Sequence, residues 1–405
     1  MRGCPTECVL PVRAFVQREP WQYDKHREPS TTRSDPRTIQ AVMTDGRKIA
    51  PSAYPTAFYD FENSIIGEDA LYASAWKCWR GVGRKFSAQS YMLSIIEKTV
   101  DLANDLRNGT YREGKTRIVK ITYPKPRTAL SITFRDRVYQ RSINDNSLYP
   151  QSVRHFIYSN YACQKGKGTD AALKCLKSML HRAWIIYRTN DFRILSADIR
   201  HYYDSMLHAE TDRVFAKMVD PWTAARVKHT LASQYKGDMG YNPGSQMVQI
   251  AGISYLNGFD HFVKETLRRK LYISYMDDFH IIGRDETELS AVRDAVAVNL
   301  SGIGMSLHPT KTKIVSAKDG FVFLGFLFRV TPSGKVLMLR DPKRVKEIKR
   351  RLRRLAHKVW RGETDPEAID KSYECVRACM SKGNSARLIR TMDGFVSMLK
   401  KGVDV

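Results

Sequence analysis

The stretch that decides the fold is Leu271-Tyr272-Ile273-Ser274-Tyr275-Met276-Asp277-Asp278-Phe279-His280-Ile281-Ile282. Two runs rich in β-branched and aromatic residues flank two adjacent carboxylates, which predicts a strand, a tight turn and a second strand. We expect Asp277 and Asp278 at the exposed tip of this hairpin. Carboxylate oxygens on a rigid hairpin suit a hard divalent cation such as Mg²⁺. An ordinary Asp-Asp turn between two strands fits the same pattern equally well.

A second acidic residue, Asp198, lies near the end of the short apolar run 192–199, which predicts a strand. If this strand and the hairpin are neighbours in one sheet, their carboxylates converge and could hold two Mg²⁺ ions. Such a pair of ions activates an attacking 3′-hydroxyl and neutralises the leaving pyrophosphate in nucleotidyl transfer. The alternative is an aspartate that caps the turn after its strand.

The charge balance points to a polyanionic partner. The 405-residue chain carries a formal net charge of +25 and has a sequence pI near 9.8. Nucleic acid is favoured over a membrane because the sequence has no long apolar segment and no leader, so we expect a cytoplasmic protein. The seven cysteines are odd in number and irregularly spaced, which favours reduced thiols over a disulfide framework or a zinc site.

The apolar periodicity and the turn residues predict an alternation of helices and strands after an irregular, proline-rich extension over residues 1–55. The predicted helices cover 68–84, 90–106, a segment from 136, 169–188, 209–219, 221–234, 247–269 and 286–300, and the predicted strands cover 117–123, 128–134, 192–199 and 321–328.

A basic helix is predicted after Asp341. Apolar residues recur there at spacings of three and four, and most positions between them are Lys or Arg: the apolar positions are Val345, Ile348, Leu352, Leu355 and Val359. A basic helix face is often only solvated surface. The density of one sign in a strongly basic protein favours contacts with phosphates.

The motifs taken in chain order resemble the palm of reverse transcriptases, over about residues 60–400. They are Asp198 with Tyr203, Gly244 with Gln249, Tyr275-Met276-Asp277-Asp278, Lys311 and Gly325. The chain also resembles further blocks of bacterial members. These are Pro124-Lys125-Pro126-Arg127 and the segments 134–138 and 159–169 before Asp198, and Tyr255-Leu256-Asn257 before the hairpin. The nearest likeness is to the enzymes of diversity-generating retroelements and their intron-like and phage-defence relatives.

The resemblance implies an α/β (α+β) right-hand polymerase. Residues 56–190 would form the fingers with the first palm elements, 191–335 a ferredoxin-like palm, and 336–405 a basic helical thumb. The implied reaction is RNA-directed DNA synthesis with two Mg²⁺ ions, for which Mn²⁺ could substitute. The implied partners are an RNA template, a DNA or RNA primer and dNTPs. A structured non-coding RNA and an accessory protein are further candidates, and no membrane is expected.

Roles carried over from the family fall on individual residues. Asp198 and Asp277 would be metal ligands together with the backbone carbonyl of Ile199, and Asp278 would support them. Tyr203 matches the aromatic gate that excludes a 2′-hydroxyl, although an aromatic that fills the palm core is the alternative. Lys311 matches a lysine near the pyrophosphate, either as a general acid or as a phosphate contact.

The remaining assignments concern the nucleotide and the duplex. Arg127, and with it Lys125, would grip the triphosphate, unless both are solvated turn residues. Pro243 replaces a glutamine that contacts the nucleotide in many relatives, whereas Gln249 agrees with the retroelement branch; we expect loosened base selection. Phe323-Leu324-Gly325 resembles the family's primer-grip hairpin. The expected primer and template contacts are Phe323, Leu324, Gly325, Lys343, Arg344, Arg350, Arg351 and Arg354.

Two rival functions remain open from the sequence. One is a phage-defence enzyme that makes DNA from a dedicated template or from none. The other is an RNA-binding scaffold that kept the fold and lost the chemistry. Three intact aspartates weigh against the scaffold, because clustered carboxylates repel one another and a scaffold has no physical need for them.

Overall fold

The computed structural model describes residues 56–122 and 127–403. The predicted extension over 1–55 and Lys125 lie outside the described residues, as does the side chain of Arg127.

Four helices and a hairpin come first: α1 (Thr56–Ile66), α2 (Glu68–Trp79), α3 (Phe86–Leu93), α4 (Ile95–Arg107), β1 (Arg117–Ile121) and β2 (Arg127–Ser131). The predicted helix 68–84 is too long, because the chain leaves the helix after Trp79 and Gly81 takes a φ of +86°. The predicted helix 90–106 is also wrong as one element, because Ser94 has a non-helical φ of −122° and ψ of 43°. The two strands pair antiparallel, as predicted.

Three further helices lead to the central sheet: α5 (Phe134–Ile143), α6 (Tyr149–Ser152) and α7 (Thr169–Tyr187). The hydroxyl of Thr133 caps α5 by accepting a hydrogen bond of 3.2 Å from the backbone N–H of Asp136. The carboxylate of Asp136 is buried and accepts a hydrogen bond of 2.7 Å from the Tyr111 hydroxyl. These contacts fix the start of α5 against the segment that precedes β1.

The middle of the chain has a β-α-β-β-α-β order: β3 (Arg193–Asp198), α8 (Tyr202–Ser205), α9 (His208–Met218), α10 (Pro221–Gln234), α11 (Gln246–Tyr255), α12 (Asn257–His261), β4 (Tyr272–Tyr275), β5 (Asp278–Gly283), α13 (Glu286–Ser301) and β6 (Lys313–Ser316). The strands form one antiparallel sheet in the order β4-β5-β3-β6. This is the topology of a ferredoxin-like palm, and it confirms that prediction. The predicted single helix 247–269 is wrong, because it divides at Leu256 into α11 and α12.

Side chains alternate across β3 and β5 and give the sheet two faces. Leu195 and Phe279 belong to the larger core, together with side chains of α11 and α13. Ile194 and Ile282 belong to a second core, which includes side chains of α7. By the same alternation, Asp198 and Asp278 lie on the face of Ile194 and Ile282, at the end of the strands.

A second sheet and a helical bundle complete the chain: β7 (Phe321–Phe323), β8 (Phe326–Val330), β9 (Val336–Arg340), α14 (Pro342–Trp360), α15 (Glu367–Met380) and α16 (Ala386–Lys400). The predicted single strand 321–328 is wrong, because Leu324 and Gly325 form a two-residue turn with φ values of +47° and +79°. β9 was not predicted, and it pairs with β8. The boundary expected at 336 therefore falls within this sheet, and the helices begin at Pro342.

The three C-terminal helices share a separate core formed by Leu352, Tyr373, Met392 and Leu399, among others. The apolar stripe predicted for α14 is confirmed, since Val345, Ile348, Leu355 and Val359 pack against this core. Among the residues that the structure describes, no helix is long and apolar enough to cross a membrane.

Candidate active site

The register of the central sheet places Asp198 directly opposite Asp278. The backbone N–H of Ile199 donates to the carbonyl of Asp277 at 3.0 Å. Asp198 and Asp278 are therefore a non-hydrogen-bonded pair of the antiparallel backbone ladder. In such a pair the opposed Cα atoms lie about 4.5 Å apart and the side chains approach each other on one face. Residues that are 80 positions apart in the sequence thus place two carboxylates side by side.

The hairpin turn has two residues, Met276 and Asp277, and Tyr275 pairs with Asp278 to close it. Met276 takes a positive φ of 56°, which is uncommon for a residue other than glycine. Only Asp277 lies at the tip, since Asp278 is the first residue of β5. The expectation of both aspartates at the tip is corrected in this respect.

A buried network holds the hairpin in place. The backbone N–H of Ser274, in β4, donates to the carbonyl of Ser159 at 3.1 Å. The carboxylate of Asp260 accepts hydrogen bonds from the Tyr272 hydroxyl, the Asn160 amide at 2.9 Å and the Ser274 hydroxyl at 3.3 Å. Burial raises the pKa of Asp260. The position of β4 therefore depends on α12 and on the segment that precedes α7.

Lys311 reaches Asp198 from the segment between α13 and β6. The N–H of His308 donates to the Asp198 carbonyl at 2.7 Å, which docks this segment on the end of β3. The Lys311 ammonium then lies 2.8 and 3.0 Å from the two carboxylate oxygens of Asp198. The Asp198 side chain is 14% exposed and that of Lys311 is 50% exposed, so the ammonium can move into solvent while the carboxylate stays in place.

The donor set fits a hard divalent cation by its chemistry. Three carboxylates and the carbonyl of Ile199 offer only oxygen ligands, and the ammonium on Asp198 shows that a cation can reach that side chain. Within 56–122 and 127–403, no three His, Cys, Asp or Glu side chains form a ready metal cluster. A metal ion at Asp198 would compete with the Lys311 ammonium for the same carboxylate oxygens.

Tyr203, the residue expected to select the sugar, lies in α8 shortly after β3. Its ring is half-buried against the larger core, and burial raises the pKa of its hydroxyl. The ring centroids of Tyr202 and Tyr203 are 5.4 Å apart. The half-exposed position is compatible with both roles considered for this ring, a gate for the sugar and a filler of the core.

The block around Gly244 docks on the fingers hairpin. A Cβ on Gly244 would lie 2.4 Å from the carbonyl oxygen of Leu130 in β2, so only glycine permits this approach. Pro243 is half-buried beside it. Gln249 is exposed and lines a cavity of about 380 Å³ together with Lys77, Arg80, Gln140 and other fingers residues. This cavity is separate from the one that Asp278 lines.

A cleft of about 700 Å³ extends from Asp278 between the second sheet and α14. Four residues expected to contact the duplex line it, namely Leu324, Gly325, Arg344 and Arg351, together with Asp341 and Glu347. Arg340 also lines the cleft, and it was not among the residues expected there. Its guanidinium carbon lies 4.9 Å from the centroid of the Phe326 ring. The sequence could have indicated Arg340 by its position at the end of the apolar run 336–340. That indication requires the run to be recognised as a strand, β9.

The other expected duplex contacts lie elsewhere. The Phe323 side chain is buried, and its ring lies 4.7 Å from that of His280, so only its backbone could reach a primer. Arg354 lines a neighbouring cavity with Arg351 and Lys358. Lys343 and Arg350 are exposed on α14 and line neither cavity.

A ferredoxin-like sheet with opposed carboxylates at the end of two neighbouring strands defines the palm of a right-hand nucleic-acid polymerase. The family model described as "Reverse transcriptase (RNA-dependent DNA polymerase)" matches residues 120–328, which is more than half of the chain. The chain therefore belongs to the reverse transcriptase family.

One solved structure that resembles the chain is that of telomerase from Candida albicans in complex with the TWJ fragment of telomeric RNA. The sequence identity is 11% and the TM-score is 0.44. The match covers 64% of this chain and 55% of that one, so the chain spans about half the length of the telomerase chain. No curated protein sequence matches the chain.

Proposed function

We propose that this chain is an RNA-directed DNA polymerase that adds dNTPs to the 3′-hydroxyl of a primer. The observation that carries the proposal is the adjacency of Asp198 and Asp278 on neighbouring strands, with Asp277 in the turn between β4 and β5. These residues lie within the part of the chain that matches the family. A scaffold without chemistry would gain nothing from carboxylates that repel one another.

The metal ligands in this proposal are the carboxylates of Asp198 and Asp277 and the carbonyl of Ile199, with Asp278 in support. When two Mg²⁺ ions are bound, or Mn²⁺ in their place, they activate the 3′-hydroxyl and neutralise the leaving pyrophosphate. Lys311 neutralises Asp198 in the absence of metal, as its two contacts indicate. Once released, its ammonium can contact the pyrophosphate or donate a proton to it.

The nucleotide would be held from several sides. Tyr203 lies under the sugar and excludes a 2′-hydroxyl, and Arg127, with Lys125, grips the triphosphate. Pro243 borders the base, where the loss of the family's glutamine loosens selection. Gln249 lines a cavity separate from the one at Asp278, so no direct contact with the base is proposed for it. The side of the site formed by the Gly244 loop is fixed by its close approach to β2.

The duplex would occupy the cleft that begins at Asp278. Arg340, Arg344 and Arg351 line this cleft and would contact phosphates. Asp341 and Glu347 line it as well, and Arg344 would exchange its 3.0 Å contact with Glu347 for a phosphate. An RNA–DNA hybrid has an A-like shape, so backbone and shape rather than base edges would be recognised. Leu324 and Gly325, in the turn between β7 and β8, would contact the primer, while Lys343, Arg350 and Arg354 extend the basic surface along α14.

For the biological role we propose a bacterial or phage-encoded retroelement of the diversity-generating type, in which the enzyme works in the cytoplasm with a structured RNA and an accessory protein. The support is the resemblance of the sequence motifs, above all Gln249. Sequencing the nucleic acid that copurifies with the chain, and the DNA that it makes, tests this role. A single dedicated RNA template unrelated to a variable repeat, or DNA without any template, would favour the phage-defence alternative.

The polymerase activity is tested by extension of a DNA primer on an RNA template with dNTPs and Mg²⁺. The chain should make template-length DNA, and Asp277→Ala should abolish incorporation while leaving RNA binding largely intact. Asp204→Ala is the matched control, because Asp204 is an exposed aspartate near the end of β3. Template binding without any incorporation by the parent chain would favour the scaffold, and full activity of Asp277→Ala would refute the metal assignment.

A further inference from the structure

Gly252, in the middle of α11, lies directly beneath the tyrosine pair of α8. A Cβ on Gly252 would lie 2.9 Å from the Tyr203 hydroxyl oxygen, 3.2 Å from Cζ and 3.3 Å from Cε1. The Tyr202 hydroxyl donates a hydrogen bond to the Gly252 carbonyl. Both rings of the pair are therefore placed by this one residue.

The backbone conformation does not explain a glycine here. Gly252 has no positive φ, and glycine in a helix interior costs about 1 kcal/mol relative to alanine. Gly258, two turns further on in α12, has no atom within 4 Å of its would-be Cβ. The feature that sets Gly252 apart from Gly258 is therefore the aromatic ring that occupies its side-chain space.

We propose that Gly252 is a positioning residue that sets the depth of the Tyr203 ring and thereby the discrimination between deoxyribose and ribose. This inference rests on the proposed function, in which the ring of Tyr203 lies under the sugar. Tyr203 follows Asp198, the last residue of β3, by five positions, and its ring packs over Gly252 of α11. A side chain on Gly252 displaces the ring away from α11. If the sugar lies on the other side of the ring, as the proposed function has it, the ring then moves towards the sugar.

The displacement follows from the distances. Ordinary carbon–carbon contacts are about 3.5–4.0 Å, so the hydroxyl end of the ring must move by roughly 0.5 Å or more. A change of one methyl group in a specificity pocket alters kcat/KM by about tenfold or more. We expect Gly252→Ala to lower the use of rNTPs relative to dNTPs by about tenfold. The KM for the dNTP should rise more than kcat falls, because the displaced ring crowds a bound sugar.

The experiment measures single-nucleotide incorporation of dGTP and of GTP by the full chain on one RNA template and DNA primer. Gly252→Ala is compared with the parent and with Gly258→Ala, which adds the same methyl group to a helix with open space. The inference requires a changed dGTP/GTP ratio in Gly252→Ala alone. An equal ratio in all three proteins overturns it.

Tyr203→Phe provides a second measurement that does not depend on the folding of Gly252→Ala. It removes the atom nearest to Gly252, so the ring settles closer to α11 and GTP incorporation should rise severalfold relative to dGTP. The Gly252→Ala/Tyr203→Phe double variant should return towards the parent ratio. An unchanged ratio in Tyr203→Phe refutes the inference.

Loss of the polymerase activity and loss of the role of Gly252 give different results in these assays. If the parent chain incorporates no nucleotide, the proposed polymerase activity is wrong and the inference is overturned with it. If the parent incorporates dGTP and discriminates against GTP, but neither Gly252→Ala nor Tyr203→Phe changes that ratio, only the role of Gly252 is refuted.

Discussion

Substitution of Lys311 by methionine should make the candidate site bind divalent metal more tightly in the absence of nucleotide. The Lys311 ammonium contacts both carboxylate oxygens of Asp198, at 2.8 and 3.0 Å, so a metal ion competes with it for them. Methionine keeps most of the side-chain length and removes the charge. Asp198 is then left with its negative charge available for a metal ion.

The size of the effect depends on the solvent exposure of the pair. At 2.8 Å and an effective dielectric constant of about 20, the Coulomb attraction is roughly 6 kcal/mol before desolvation and screening are subtracted. Exposed ion pairs contribute about 0–1 kcal/mol, and loss of one partner of a buried pair costs about 3–5 kcal/mol. With Asp198 14% and Lys311 50% exposed, we expect about 1–2 kcal/mol. This corresponds to roughly 5- to 30-fold tighter metal binding.

Mn²⁺ titration followed by electron paramagnetic resonance measures this binding without any catalytic readout. The matched control is Lys313→Met, which removes an exposed positive charge from the same segment, two residues along. The dissociation constant of Mn²⁺ should fall in Lys311→Met. It should change by less than about twofold in Lys313→Met, because solvent screens the charge of Lys313 in the parent. Equal dissociation constants in the parent and in Lys311→Met would show that the ammonium does not compete for Asp198.

Three further outcomes are expected. Tyr203→Ala should admit ribonucleotides, because the half-buried ring no longer blocks the 2′-hydroxyl; unchanged sugar selection in single-nucleotide incorporation would remove Tyr203 from the gate role. Pro243→Gln should lower the error rate on a fixed RNA template, and identical error spectra from product sequencing would end the idea of loosened base selection. Burial lowers the pKa of His280 to about 3, so below pH 6.5 only the unfolded chain takes up the proton and stability falls as the pH decreases towards 3. Between pH 7.5 and 5.5, the parent should lose about 1.4 kcal/mol more unfolding free energy than His280→Phe. The unfolding free energy is measured by urea titration at each pH, and an equal loss in the two proteins would contradict this.

The palm could be predicted from the sequence because its elements carry strong local signals. The apolar runs around Asp198 and around Asp277 and Asp278 predicted strands, and these strands pair in the central sheet. The order of the motifs then indicated the ferredoxin-like topology. The basic helix after Asp341 was equally clear, since its apolar stripe repeats over the whole of α14.

The missed features depend on contacts between distant residues or on turns without polar signals. Leu324 and Gly325 turn the chain within a continuous apolar run, so the run was predicted to be one strand. Arg340 faces the cleft only because β9 pairs with β8. The contact between Lys311 and Asp198 joins residues 113 positions apart, and no local pattern announces it.

The central claim is that carboxylates from β3 and from the hairpin act as one nucleotidyl-transfer site. The most direct measurement is the single-turnover rate of dNTP incorporation by Asp198→Asn, Asp277→Asn and the double variant. Residues that act as a unit show strongly non-additive losses. Each single variant should lose at least about 1000-fold in rate, and the double variant should lose hardly more than either. A single variant with the parent rate, or two modest losses that multiply in the double variant, would contradict the claim.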